Sequence, residues 1–123
     1  MSKKVLIVDD KPLILTLLEH ILEGLKSQGV ELTAAASGKE GLARALDEHF
    51  DLIFLDVRMP DLSGHEVCRR IKAADSEAYV VLLTGEEEDE VRGTEARADE
   101  HINKPFHPNY ILERVSAILG LEL

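Results

Sequence analysis

The sequence has little of what would mark it for export, a membrane or a nucleic acid. It holds one cysteine, Cys68, so no internal disulfide can form and a reducing compartment suits it. No apolar run approaches the ~18 residues that span a bilayer, and the first residues contain no export-type apolar stretch. The expectation is a cytoplasmic protein without membrane association. Basic residues are scarce: 14 Lys and Arg stand against 24 Asp and Glu, a formal net charge of -10. Phosphate backbones and anionic lipid would repel such a surface. Neither glycine-rich nucleotide loop is present, which argues against ATP or NAD. His20, His49, His65 and His107 lack metal-ligand spacing and read as surface residues. Repeats, low-complexity tracts and linkers are lacking too, so 123 residues of ordinary globular composition read as one domain.

What remains is an alternation of short apolar runs with longer amphipathic stretches. Val5 to Val8 reads as a buried strand. After Pro12, which suits a first helical turn, Ile14, Leu17, Leu18, Ile21, Leu22 and Leu25 recur at helical spacing, and the helix closes near "SQGV". "VELTAAAS" follows as a strand. Ser37-Gly-Lys-Glu40 and Ser63-Gly-His-Glu66 both have capping-box spacing ahead of helical patterns. Between them "DLIFLD" is the clearest buried strand, and "AYVVLLTG" is a fourth. "EEEDEVRGTEARADE" reads as a polar helix and "HIN" as a short last strand. Pro108 opens a final helix carrying Ile111, Leu112, Val115, Ile118 and Leu119, with Gly120 placed as its cap. Five strands alternating with five helices predict an α/β domain whose parallel sheet is covered on both faces. Cys68, inside a helical pattern without a basic or histidine partner, reads as core rather than nucleophile.

Open α/β sheets collect functional groups just beyond the carboxyl ends of their strands. Asp9 and Asp10 follow the first predicted strand, Asp56 closes the third, Thr84 the fourth and Lys104 the fifth. A single charged residue at a strand end is usually a solvated cap. Four ends with complementary chemistry are harder to dismiss. Three carboxylates in one crevice call for a compensating cation, and an all-oxygen site suits Mg²⁺ better than Zn²⁺. Such an ion, the Lys104 ammonium and the Thr84 hydroxyl together favour a phosphoryl group. Asp56, the lone acid at its strand end, is then the natural nucleophile for an aspartyl phosphate.

"VLIVDD", "DLIFLDVRMPDLSG", "VVLLTG" and "INKPF" together closely resemble the receiver domains of two-component response regulators. The resemblance runs from about Lys4 to Leu119, which makes residues 1–123 a single receiver domain. It implies a doubly wound, flavodoxin-like fold with strand order 2-1-3-4-5. It implies that Asp56 is the phosphoacceptor, charged by a sensor histidine kinase, a phosphotransfer protein or a small donor such as acetyl phosphate. Asp10 and Asp56 would ligate Mg²⁺ directly, Asp9 mostly through water, and the backbone carbonyl of Arg58 would complete the protein ligands. Lys104 and Thr84 would hold the phosphoryl oxygens, and Pro105 would follow a cis peptide bond. Met59, Pro60 and Gly64 match the loop beyond the acceptor. His101 falls where the family usually has an aromatic switch residue, on a surface formed by the fourth helix, fifth strand and fifth helix. The domain would be a phosphoacceptor rather than an enzyme, acting on an output domain or target protein, with homodimerisation on phosphorylation compatible with it.

Two features depart from the family. From Thr84 to Lys104 the chain is about two residues short, in the loop "GEEED" ahead of a segment with Gly93, and Arg97 stands where glycine is common. Arg58 and Glu86 flank the expected pocket and could tune dephosphorylation or form an exposed ion pair. A Mg²⁺-dependent phosphatase with an aspartyl intermediate is the enzymatic alternative. Against it, no cap domain is visible, and Arg58 stands where a second acid would follow Asp56. A module that kept the fold and lost signalling is disfavoured by the complete set of site residues.

Overall fold

A computed structural model describes residues 2–85 and 96–122. The expected helix between Thr84 and Lys104, with "GEEED", Glu86 and Gly93, lies largely outside the described residues. The strands are β1 (Lys3–Val8), β2 (Val30–Ala35), β3 (Leu52–Asp56), β4 (Val80–Thr84) and β5 (Glu100–Asn103). The described α-helices are α1 (Pro12–Leu22), α2 (Gly38–Asp47), α3 (Gly64–Ala74) and α4 (Pro108–Leu119). All strand pairs are parallel, in the order β2-β1-β3-β4-β5. This is the doubly wound, flavodoxin-like architecture.

The continuous apolar runs become the central strands because only a strand covered on both faces can bury every side chain. All five residues of β3 and of β4 are buried. Alternation along the strands then sorts the core into two layers. Leu6, Val8, Ile53, Leu55, Val80 and Leu82 pack with Leu42 of α2 and Val67, Cys68 and Ile71 of α3. Val5, Ile7, Phe54, Val81, Leu83 and Ile102 pack with Leu18 and Leu22 of α1 and Ile111 and Val115 of α4. Each such leucine or phenylalanine contributes about 2 kcal/mol by leaving water. Cys68 is buried in the first layer, and burial pushes its thiol up to about 12, consistent with an inert core residue.

Helix starts follow their local chemistry. Ser37 Oγ accepts the Glu40 amide at 3.1 Å, and Glu40 Oε2 reaches back to the Ala36 amide at 3.1 Å. Ser63 Oγ accepts the Glu66 amide at 3.2 Å. Gly120 ends α4 at φ 70, a left-handed cap. The first helix departs from expectation. It stays α-helical only to Leu22 and tightens into a 3₁₀ segment, Glu23–Gln28, which ends on Gly29 at φ 89. The 3₁₀ turns keep Leu25 buried while the chain is drawn towards β2. Leu17, counted on the apolar face by spacing, is 38% exposed, and its neighbour Leu13 is 77% exposed. Arg97 has φ 69, a left-handed conformation that explains why glycine is the usual residue there.

Candidate functional site

The sheet order reverses between β1, which leads to β2 on one side, and β3 on the other. A crevice therefore opens beyond the carboxyl ends of these two strands. Val8 pairs with Leu55, so the next residues, Asp9 and Asp56, stand level across the ladder. Asp56 pairs with Leu83, so Thr84 follows one step on, and Thr84 pairs with Asn103, which precedes Lys104. Backbone bonds lock this arrangement. Asp9 N donates to Ala35 O at 3.1 Å, Val57 N to Leu83 O at 3.1 Å and Lys104 N to Thr84 O at 2.9 Å.

Carboxylate oxygens of Asp9, Asp10 and Asp56 all lie within 4.8 Å of one another. Asp9 is fully buried, Asp56 nearly so, and Asp10 is half-buried. Lys104 Nζ bonds Asp56 Oδ1 at 2.8 Å and Asp9 Oδ2 at 3.3 Å. The structure adds a cation that sequence reasoning did not assign: Lys11 Nζ lies 3.3 Å from Asp10 Oδ1 and 3.4 Å from Asp56 Oδ2. The signal was present as a lysine directly after the acid pair. Its backbone amide also donates to Asp9 Oδ1 at 2.9 Å. Burial holds the Asp9 carboxyl above its ordinary range, with the Asp56 charge adding to that rise and the Lys11 amide and Lys104 opposing it. Partial burial pulls the Lys11 ammonium downward, but the charges of Asp56 and Asp10 outweigh it and hold its pKa above the ordinary value. Lys11 is therefore a full positive charge at neutral pH.

The remaining expected residues fall around this cluster. Thr84 is buried at the end of β4. Arg58 is exposed, its amide 3.4 Å from Asp56 Oδ1. The Lys104–Pro105 peptide bond is cis. Gly64 N donates to Val57 O at 3.0 Å, and a Cβ on Gly64 would collide with the carbonyl of Asp56, so only glycine lets the loop return this closely to β3. Asp61, unassigned from sequence, ties that loop to α2 by accepting the amides of Gly38 at 3.1 Å and Lys39 at 2.9 Å. Those bonds, Lys39 first, hold its carboxyl below the ordinary range. His101 pairs in register with Leu82 and stands apart from the acids, half-buried, its Nε2 without a hydrogen-bond partner among the described residues. Of the other histidines, His49 is exposed beside Asp75, at 2.6 Å. No described helix is long and apolar enough to cross a membrane.

Three carboxylates at close range, all offering oxygen, are the donor set of a hard divalent cation that keeps several waters. The side chains present fit Mg²⁺. Fold and crevice together define a doubly wound α/β domain with a three-carboxylate crevice at its switch point. The chain belongs to the response regulator receiver domain family, whose family model matches residues 5–116. These are signalling domains of two-component systems, in which phosphorylation by histidine kinases is general.

Among curated relatives, the chain is 41% identical over 121 residues to the alkaline phosphatase synthesis transcriptional regulatory protein PhoP of Bacillus subtilis (strain 168). That match covers 97% of this chain and 49% of PhoP. The chain spans about half the length of the curated relatives it matches. Among solved structures, a CheY-like response regulator receiver domain protein from Methanospirillum hungatei JF-1 superposes with a TM-score of 0.89 at 34% identity, covering 98% of this chain and 95% of the other. The receiver domain of sensor histidine kinase PA1611 from Pseudomonas aeruginosa PAO1 superposes at 0.85 with 25% identity, covering 98% and 99%, and has a magnesium ion coordinated in its active site cleft.

Proposed function

We propose that Asp56 is the phosphoacceptor of a Mg²⁺-dependent signalling switch. The observation that carries this reading is the convergence of Asp9, Asp10 and Asp56 at the switch point, with Lys104 bonded to Asp56. Asp10 and Asp56 would hold Mg²⁺ directly, Asp9 through water, and the Arg58 carbonyl would complete the protein ligands. When bound, the ion neutralises phosphoryl charge and aligns the donor with the acceptor.

In the transfer, a carboxylate oxygen of Asp56 forms a bond to phosphorus. The bond from phosphorus to the donor's imidazole nitrogen breaks, and its electron pair stays on that nitrogen. The product is an acyl phosphate on Asp56, and, because the donor ring carries a proton on its other nitrogen before transfer, a neutral imidazole leaves with the kinase or phosphotransfer protein. Lys104, already tied to Asp56 and Asp9, follows the negative charge onto the phosphoryl oxygens. Thr84 supplies a hydroxyl to the same oxygens, and His101 on β5 responds to that movement. This biases the surface that includes β5 and α4. Gly64 and the cis Pro105 give the pocket its shape.

The domain is read as acting in the cytoplasm, without membrane or direct nucleic-acid contact, between a sensor histidine kinase and an output domain or target protein. The transcriptional regulatory names of its relatives support an output in gene control. Incubation with Mg²⁺ and acetyl phosphate, followed by intact-mass measurement, tests the assignment, with a cognate kinase as the second donor. A phosphoryl mass gain that disappears in Asp56→Ala and on removal of Mg²⁺ is expected. The same gain in Asp56→Ala would sink it.

A further inference from the structure

The two carboxylates that the proposed function makes direct metal ligands, Asp10 and Asp56, already share a cation in this structure. Lys11 Nζ lies 3.3 Å from Asp10 Oδ1 and 3.4 Å from Asp56 Oδ2. An ammonium placed so takes the side of Asp56 left open by Lys104, which holds the other oxygen at 2.8 Å. The ammonium is anchored by its backbone. Lys11 is extended, at φ -98 and ψ 110, as the residue before Pro12 must be, and its amide is bonded to Asp9. The root of the side chain is fixed at the mouth of the site while the stem stays free.

Lys11 and Lys104 differ in how firmly they are held. The Lys104 side chain is 22% exposed and bridges Asp56 and Asp9, whereas the Lys11 side chain is 56% exposed and lies 3.4 Å from Asp56 against 2.8 Å for Lys104. Lys104 is built to stay, and Lys11 can swing into solvent at a smaller cost. Charge favours the same order of events. Three carboxylates facing two ammoniums leave a single net negative charge, and withdrawal of Lys11 leaves two, matching a divalent ion.

We propose that Lys11 is a tethered counter-cation that occupies the metal position between Asp10 and Asp56 until Mg²⁺ displaces it, and so sets the Mg²⁺ concentration at which the domain becomes competent. The proposal rests on the functional reading above. It gives Lys11 two consequences. Without the divalent ion, its charge relieves the repulsion of the acids and keeps the crevice closed up. It also covers an oxygen of Asp56, so the acceptor is uncovered only as the ion enters. Lys11 is a positioning residue here, since its effect passes through Asp56 and Asp10.

Calorimetric titration of Mg²⁺ into the unphosphorylated protein tests this at fixed ionic strength. The comparison is among wild type, Lys11→Met, Lys11→Gln and Lys26→Met, the last removing an equal charge from the exposed 3₁₀ segment. Removing a unit charge a few ångströms from the ion is expected to tighten Kd about tenfold in both Lys11 variants. Lys26→Met is expected to stay within about twofold of wild type, because screening removes distant charges. In EDTA the thermal midpoints of both Lys11 variants should fall below wild type, and saturating Mg²⁺ should close the gap. An unchanged or weakened Kd in the Lys11 variants overturns the proposal, as does an equal tightening by Lys26→Met. Absence of Mg²⁺ binding in wild type would overturn the functional reading itself, whereas binding with equal Kd in all four proteins overturns only the role of Lys11.

Discussion

At the edge of the sheet where strands begin, Asp51 accepts the Lys4 amide at 2.8 Å, and Asp99 binds Lys72 Nζ at 2.9 Å and the Val80 amide at 2.8 Å. Glu100 is held by Arg114, with Nε to Oε1 at 2.8 Å, and by the Tyr79 hydroxyl. At the edge where strands end, Asp9, Asp10 and Asp56 crowd together with fewer ammoniums than carboxylates. The same residue types thus stabilise one end and strain the other. Charge that is matched in place holds the fold. Charge left over is what the proposed Mg²⁺ and phosphoryl group would act on.

The largest expected effect lies at the matched end. Lys72 is almost buried, with Nζ bonded to Ala78 O at 2.7 Å as well as to Asp99. Lys72→Met keeps the apolar stem but removes the donor shared by Ala78 O, Ser76 O and Asp99, which keeps the Val80 amide, and should destabilise by about 2–3 kcal/mol in urea unfolding. An unchanged midpoint would erase the distinction between the two ends. Asp9→Asn should have the opposite sign. It removes one of three mutually repelling charges while keeping an acceptor for the Lys11 amide, and should stabilise the Mg²⁺-free protein by about 1 kcal/mol. A loss of stability in EDTA would show that the acids at that end are matched after all.

The smallest effect is the one that sharpens the comparison most, because it separates the ends by pH. Arg114 and Tyr79 hold the Glu100 carboxyl below its ordinary value of 4.5, against the pull of burial. The unfolded chain then binds more protons just below that value, so the Glu100 pair adds stability above about 4.5 and loses it as pH falls through the lowered folded value. Asp9 runs the other way. Its folded pKa is raised above 3.8, so the native state binds the extra proton and stability falls as pH rises from 3.8 through the raised value. Stability curves between these limits should lose part of their acid-side rise in Glu100→Gln, and should rise more steeply in Asp9→Asn. Equal changes in both variants would contradict the opposite shifts.

Much of this was legible in the sequence for identifiable reasons. β3 and β4 are uninterrupted apolar runs, and the two Ser-x-x-Glu boxes mark helix starts through short-range bonds that depend only on spacing. The acids could be placed because a parallel sheet puts strand ends side by side. What was not legible depends on reach and on cover. The Lys11 ammonium arrives at Asp56 through a flexible stem whose direction no spacing rule contains, and Asp61 caps α2 from a loop far along the chain. Helical periodicity marked Leu17 as apolar but could not say that it stays partly exposed, or that the last turns of that stretch tighten at Glu23.

The register that sets Val8 against Leu55, and hence Asp9 level with Asp56, makes the site dependent on the phase of its strands. Side chains alternate faces at every residue, so one inserted or deleted residue within β3 would turn Asp56 away from the crevice and its apolar neighbours out of their layers together. Substitutions at the mouth, such as those at Lys11, would retune the proposed chemistry by degrees. A shift of phase in the sheet leaves no intermediate setting. The domain can therefore vary freely in how it is tuned while its strands tolerate almost no change of length.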